Sequence, residues 1–548
     1  MYKSITRALL LSCMVGMIPV SGVYAASAVP QPGDSLGTVE EKSDTPKLDN
    51  KLDNKKSENQ SLRFTLKAIN VDQPETHFDQ EALQKITAKA VGHEITVKDL
   101  DAVLWDLAVY ARTHGFPAAY AYVPEQKAKG GELLMRIALG RYDNIKVENN
   151  CAASYEDIAK GLLASLKSGD VIKERSLESS LFNVNEIYGV KANGTLVPGS
   201  KDGTSDLIVH IEPGKTKTAT VYTDNYGSKS SGRYRYGFQA DLMGVIARNS
   251  RMTIGGLISN NNLHNYNIGW ETRGGHMGTT LGARFSRMDY ELGSLFSALG
   301  AKGIANTTSL YGMTPIWRTT SSNLIIKYGI DYRSINDEMR SAGLNVKKHS
   351  HSFNLGIDGV WREKGGLAVH YALTGYMGNV SSDSLSGDVI GKAGNTLGSF
   401  SKGILDITAL QPLGHSCNLL WKFQGQKASR NLDSSEKMFL GGARGVRAYG
   451  SGEGSGDEGY LSSLEFQYRT PWKGLVLRAY YDVGHVKVVE DGRYGGQTLK
   501  GWGIGMTYQH PDHYFLRLDY ARRVGLVADA GDDAKSPQRI WFLAGKTW

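Results

Sequence analysis

From about Thr216 to Trp548, apolar and polar residues alternate with a period of two. This is the pattern of strands that show one face to an apolar phase and the other to water. Tyr234, Tyr236, Phe238, Ala240 and Leu242 alternate with Arg235, Gly237, Gln239 and Asp241. Ile326, Tyr328, Ile330 and Tyr332 alternate with Lys327, Asp331 and Arg333, and Leu464, Phe466 and Tyr468 oppose Glu465, Gln467 and Arg469. Near the end, Leu516, Leu518 and Tyr520 oppose Arg517 and Asp519. Sixteen such runs lie near residues 216, 232, 250, 263, 278, 304, 322, 349, 365, 401, 416, 459, 474, 500, 513 and 538. Runs of about 9–13 residues, with aromatic ends and polar connections, predict an antiparallel transmembrane β-barrel over 214–548. A soluble sandwich also alternates, but it buries its apolar face as a core. An even strand count puts both ends of the barrel on one side of the membrane.

Upstream the period becomes helical. Arg63 to Ile69 reads as a strand, and Leu83, Ile86, Thr87 and Ala90 follow at helical spacing up to Gly92. Thr96 and Asp99 form a capping-box pattern ahead of Leu100, Val103, Leu104, Leu107, Ala108 and Ala111, with Gly115 as the stop. Strands near Ala118–Val123 and Leu133–Leu139 complete a β-α-α-β-β unit over 62–142. The order repeats over 143–213. A strand at Ile145–Val147 precedes a helix capped by Ser154 with Asp157, then a helix with Leu177, Leu181, Val184 and Tyr188. Strands near Thr195–Val197 and Leu207–Ile211 finish it. Two modules of one architecture predict a binding array, whose chemistry is strand addition along a sheet edge rather than catalysis. Two unrelated α+β domains are the alternative.

The N-terminus changes the compartment. Lys3 and Arg7, an apolar stretch from Ala8 to Val23, and the small residues Ala25 to Ala28 have the anatomy of a secretory signal peptide, assigned to 1–25. Residues 26–61 are polar, with the tandem Lys47-Leu48-Asp49-Asn50 and Lys51-Leu52-Asp53-Asn54, and read as a flexible linker. No later segment has 18 continuous apolar residues, so the mature chain holds no transmembrane helix.

Composition agrees with a strand-rich exported protein: 65 glycines, 28 tyrosines and only 14 prolines in 548 residues. The net charge of +8 arises from 63 basic against 55 acidic residues without a long basic run, which speaks against nucleic acid. Cys151 and Cys417 fall in different domains with no metal spacing, so no metal or cofactor is expected. Gly454 to Gly459 fits G-x-G-x-x-G formally but lacks a βαβ unit, and no nucleophile elbow, P-loop or H-E-x-x-H occurs. No catalytic residue is assigned and the chain is not read as an enzyme.

The candidate functional element is the connection at 429–458, between the eleventh and twelfth strands. It carries Gly441, Gly442, Gly445 and Gly450 around Val446-Arg447-Ala448-Tyr449. An arginine between apolar neighbours on a glycine-rich carrier needs an anionic or aromatic partner if buried. Here the chain resembles the TpsB transporters of two-partner secretion, whose sixth extracellular loop carries Val-Arg-Gly-Tyr/Phe; Ala448 replaces the glycine. Asp224-Asn225-Tyr226-Gly227-Ser228 is similar to the family's first-strand hallmark, Gly115-Phe116-Pro117 to a turn of its first POTRA (polypeptide-transport-associated) domain, and Asp482-Val483-Gly484 to its acidic strand motif.

The resemblance covers residues 62–548 and implies two periplasmic POTRA domains and a 16-stranded outer-membrane barrel. It also implies a sixth loop folded into the lumen, with Arg447 paired to Asp482. The aromatic last strand, with Phe542 and Trp548, resembles the signal read by the outer-membrane assembly machinery. The implied partners are a secreted exoprotein with an N-terminal secretion domain, that machinery, and outer-membrane lipid, around a monomer. An assembly insertase of the same superfamily typically has more POTRA domains, and a passive porin needs none; both remain as alternatives.

Overall fold

The computed structural model describes residues 46–50, 63–126, 130–489, 496–510, 513–525 and 536–548. The expected signal peptide and most of the linker, where a pore-plugging helix would be sought, lie outside the described residues.

In the first module, strands β2 (Arg63–Thr65), β3 (Ala68–Asp72), β4 (Glu94–Thr96), β5 (Tyr120–Tyr122) and β6 (Glu132–Ala138) accompany helices α1 (Gln80–Thr87) and α2 (Val97–Thr113). The single strand expected over Arg63–Ile69 is two. Leu66 turns into the core, and β2 pairs with β4 while β3 pairs with β6. The Thr96–Asp99 capping box opens α2: the Thr96 amide donates to Asp99 Oδ2 at 2.8 Å and the Asp99 amide to Thr96 Oγ1 at 3.3 Å. Val103, Leu107 and Ala111, four apart, then lie on one buried stripe against Met135 and Ile137.

The second module has β7 (Arg141–Asn149), β8 (Val190–Pro198), β9 (Thr204–Pro213), α3 (Ala153–Leu163) and α4 (Glu174–Asn185). Ser154 is not the cap expected of it; it lies inside α3, whose cap position is Ala152. Asn149 shapes the entry instead, accepting from the Cys151 amide at 2.7 Å and donating to the Ala152 carbonyl at 3.2 Å. A side-chain turn one step earlier removes the need for a serine cap. The linker expectation also fails at β1 (Leu48–Asn50), which joins the second module's sheet in the order β1-β8-β9-β7. Main-chain pairing at an open sheet edge needs little apolar surface, so a polar stretch with one leucine suffices.

Sixteen strands close the barrel. They are β10 (Lys217–Asp224), β11 (Arg235–Met243), β12 (Ser250–Ser259), β13 (His264–Gly274), β14 (Thr279–Glu291), β15 (Ala301–Arg318), β16 (Ser322–Met339) and β17 (Leu344–Arg362), followed by β18 (Ala368–Ser382), β19 (Gly398–Pro412) and β20 (Cys417–Ala428). After the short loop pair β21 (Met438–Phe439) and β22 (Ser455–Gly456) come β23 (Glu458–Arg469), β24 (Leu475–Lys487), β25 (Gln497–Gln509), β26 (Tyr514–Arg523) and β27 (Gln538–Thr547). The alternation is realised as inside and outside: Phe238, Ile330, Leu464 and Ile504 are exposed outward, while Gln239, Asp331, Glu465 and Arg517 are buried inward. Strand length departs from expectation. β15 and β16 have 18 residues and β17 has 19, so this wall stands well beyond an apolar band about 25 Å tall. The connection after β18 also forms an unforeseen helix, α5 (Leu385–Ala393), capped by Ser384.

The second module seats on the opposite rim. Glu186 pairs with Arg273 and Arg318, and the Tyr188 amide donates to Asn249 at 3.1 Å. Arg175 stacks 4.5 Å over the Trp317 ring. These contacts place the second module beneath the short turns, with the long connection 429–457 at the other end.

Candidate functional site: the folded-in sixth loop

Between β20 and β23 the chain returns into the lumen instead of standing outside. Leu440, Val446, Ala448 and Tyr449 are fully buried there, packed with Tyr480, Val486 and Leu499 of the wall. Two glycines on the inward face of β25 make room. A Cβ at Gly501 would stand 2.5 Å from the Ala448 Cβ, and one at Gly503 would stand 2.5 Å from the Tyr480 ring. The backbone of the loop and the ring beneath it therefore reach the wall itself. Gly442 has φ 126°, which a side chain rarely tolerates, and the Val446 amide closes a turn onto the Leu440 carbonyl at 2.7 Å. Gly441 bridges to Val446 at the base of the same turn.

Arg447 occupies the centre and is 4% exposed. Its Nε donates to Asp482 Oδ2 at 2.9 Å and its Nη2 to Asp482 Oδ1 at 2.7 Å, a bidentate fork, and its backbone amide reaches Asp482 Oδ2 at 3.1 Å. Nη1 donates to Glu465 Oε2 at 3.0 Å, Nη2 also to Ser463 Oγ at 3.0 Å, and the guanidinium lies 3.1 Å from the centroid of the Tyr480 ring. The Trp541 indole donates to the Arg447 carbonyl at 2.7 Å. Two carboxylates, a hydroxyl and a π face surround one cation in a confined space, where the same contacts are stronger than in bulk water.

A second anchor holds Glu453: Arg523 at 3.0 Å, Arg539 at 3.1 Å, and the Gly450 amide at 2.8 Å. The Arg523 guanidinium lies 4.3 Å from the centroid of the Tyr449 ring. A third holds the stem. Glu436 pairs with Arg333 at 2.7 Å and Lys402 at 2.8 Å, and Asp433 with Lys348 at 2.6 Å. Burial works against ionisation of Asp433, but the Lys348 ammonium and the Ser435 amide outweigh it and hold the carboxyl at about 2.

The residues singled out in the sequence fall in two places. Gly441, Gly442, Val446, Arg447, Ala448, Tyr449 and Asp482 meet at the loop tip. Phe542 and Trp548 lie on β27 and just beyond it, at the seam where the barrel closes. There the Trp548 amide donates to the Ala219 carbonyl at 2.8 Å and the Phe542 amide to Asn225 Oδ1 at 2.8 Å. Asn225 Nδ2 returns a bond to the Ile540 carbonyl at 2.9 Å, so a side chain extends the β10–β27 ladder. Ser463, Glu465, Tyr480 and Glu453 were not anticipated. The inward parity of Ser463 and Glu465 was legible, but their nearness to Arg447 follows from register, with Ser463 opposite Asp482 across β23–β24. Among the described residues no cluster of ligands could hold a metal ion.

Comparison with known proteins follows the same division of the chain. The family described as haemolysin secretion/activation protein ShlB/FhaC/HecB matches residues 203–508, and the ShlB-type POTRA domain matches residues 64–140. The heme/hemopexin transporter protein HuxB of Haemophilus influenzae is 25% identical over 506 residues, covering 89% of this chain and 88% of its own. The outer membrane transporter CdiB of Dickeya dadantii is 22% identical over 456 residues, covering 81% and 80%. The structure of CdiB from Escherichia coli superposes with a TM-score of 0.67 at 18% identity, covering 91% of this chain and 93% of that one. With POTRA modules on one rim, a closed barrel, and a loop pinned inside it, the chain belongs to the haemolysin secretion/activation ShlB/FhaC/HecB family, and is an outer-membrane two-partner secretion transporter.

Proposed function

We propose that this transporter, as a monomer, receives one unfolded exoprotein of the adhesin or haemolysin type through its N-terminal secretion domain. The POTRA domains capture it in the periplasm and the barrel passes it to the cell surface. Loop six closes the lumen at rest, and release of Arg447 from Asp482 and Glu465 accompanies opening. The chain acts as a conduit and not as an enzyme; folding of the client outside removes it from the pore equilibrium and supplies direction. Phe542 and Trp548, at the closing seam, serve as the signal for the outer-membrane assembly machinery. What supports the gating reading above all is that a single side chain, Arg447, joins the loop to two carboxylates on two wall strands. A buried pair of this kind contributes more to geometry than to net stability, which suits a contact that must break and re-form.

The test is export by wild type and Arg447→Ala, with the barrel's assembly followed by heat-modifiable migration. Surface display or release of the client should fall at least about tenfold in the variant, the weight of roughly 1.4 kcal/mol, while the barrel stays folded. Equal export by the two proteins would remove Arg447 from the mechanism.

A further inference from the structure

The membrane-facing side of the barrel carries its charge unevenly. At their extracellular ends β20, β23, β24, β25 and β26 bear Lys427, Glu458, Lys487, Lys500 and Arg522. All five share the parity that points away from the lumen, because their neighbours Gln426, Val486, Leu499 and Ala521 are buried inward and Tyr460 and Trp502 are exposed outward. Glu458 stands opposite Lys487, and Lys427 lies on its other side, one step beyond the Gln426–Gly459 pair. Lys427 Nζ reaches Glu458 Oε1 at 2.9 Å and Lys487 Nζ reaches Oε2 at 3.3 Å, which covers the carboxylate and leaves both lysines exposed. Lys500 and Arg522 are exposed as well, and among the described residues no carboxylate pairs with either. Four cations therefore stand against one acid on five successive strands.

Their depth is fixed by what lies beneath them. Two residues further into the membrane on the same faces come Tyr460 below Glu458, Trp502 below Lys500 and Tyr520 below Arg522. The Trp502 and Tyr520 rings meet edge to face at 6.4 Å, and Tyr460 lies 6.2 Å from the His485 ring. Exposed aromatic rings of this kind mark the boundary of the apolar band, so the cations sit at the level of the lipid head groups of the outer leaflet. The wall across the lumen pairs its rim charges locally instead. Arg287 meets Asp289 at 3.0 Å, while Lys302 and Arg340 share Glu338 at 3.0 and 3.5 Å.

We propose that the extracellular rim of β20–β26 is a binding site for lipopolysaccharide. The phosphates of its lipid A lie on Lys427, Lys487, Lys500 and Arg522, and its acyl chains run down over Tyr460 and Trp502. A lipid with more than one phosphate and several chains matches an arc of separated cations above a row of rings, and it resides in the leaflet that these strand ends reach. The exported chain is not the occupant, since these side chains face the membrane and not the lumen. Bound lipid braces from outside the same β23 and β24 whose inner faces carry Glu465 and Asp482. The inference goes beyond the transport reading and needs only the placement of the barrel in the outer membrane.

The test compares three full-length proteins in detergent, each shown folded by heat-modifiable migration. They are the wild type, an arc variant with Lys427→Glu, Lys500→Glu and Arg522→Glu, and a control with Arg287→Glu, Lys302→Glu and Arg340→Glu on the opposite wall. Native mass spectrometry reads the ratio of lipid-bound to free protein at a fixed concentration of diphosphorylated lipid A. That ratio should fall at least about tenfold in the arc variant and stay near the wild-type value in the control. Monophosphoryl lipid A should bind the wild type more weakly than the diphosphorylated form. Equal binding by the arc variant and the wild type overturns the site, as does an equal loss in the control, which would reduce the effect to net charge. Binding of phosphatidylglycerol as tight as that of lipid A overturns the assignment to lipopolysaccharide.

Discussion

The stem of loop six and the Arg447 turn at its tip are held by ion pairs of opposite polarity. At the stem the loop supplies the acids, Asp433 and Glu436, and β16, β17 and β19 supply Arg333, Lys348 and Lys402. At the tip the loop supplies the base, Arg447, to Glu465 and Asp482 of β23 and β24, and only Glu453 beside it, held by Arg523 and Arg539, keeps the polarity of the stem. A loop charged alike at both ends would have two ways to lie across a lumen lined with both signs. Reversed polarity leaves one, because the inverted placement sets like charges together. The two ends also differ in construction. The stem uses lysine and arginine from long strands standing above the apolar band, whereas the tip uses a bidentate fork pressed on a glycine-lined wall. On the gating proposed above, the stem stays in place and the tip is the part that leaves the wall.

The strongest way to break this contrast is Arg447→Asp, which sets a third carboxylate against Asp482 and Glu465. Losing a buried pair costs about 3–5 kcal/mol, and repulsion adds to it, so the tip should leave the lumen. Single-channel conductance should rise and proteases should reach residues 441–450; an unchanged conductance would mean that the arginine does not hold the tip. Glu436→Ala comes next. It leaves Arg333 and Lys402 uncompensated at a cost of about 3 kcal/mol, seen as a lower temperature for loss of the compact heat-modifiable form, with conductance near the parental value. If conductance rises as much as for Arg447→Asp, stem and tip are one device.

A smaller effect sharpens the geometry of the tip. Gly501→Ala puts a methyl group into Ala448 and should destabilise by about 1–3 kcal/mol. Ala448→Gly in the same chain should recover most of it, and additivity in the double-mutant cycle would contradict the contact. Lys427→Ala sets the floor: this lysine side chain is 80% exposed beside Glu458, and its loss should change stability by at most about 0.5 kcal/mol. A large effect there would show that exposed charges matter as much as buried ones.

Much of this site was legible before the fold. The strict alternation around Leu477, Arg478, Ala479, Tyr481 and Asp482 assigns each side chain to lipid or lumen, since a strand's two faces are set by its own backbone. The glycines around Arg447 announced a loop that must approach something closely. The Thr96–Asp99 cap was readable because both partners lie within one turn. Ser154 misled for a related reason: the cap pattern is present, but Asn149 had already shaped the turn. The 18- and 19-residue strands were underestimated because polar residues above the apolar band alternate weakly, and their pairing is maintained by neighbours.

By itself the sequence determined the period of each segment, and hence sixteen strands, two α+β modules and the inward face that carries Asp482, because these depend on interactions within a few residues. Only the tertiary structure decided which inward residues meet. The register of β23 on β24 brings Ser463 opposite Asp482, and the return of loop six into the lumen sets Ala448 on Gly501 and Arg447 between Glu465 and Asp482. It also decided that a polar stretch, Leu48–Asn50, becomes a strand, because an open edge 146 residues away along the chain supplies the hydrogen bonds that the stretch cannot make alone.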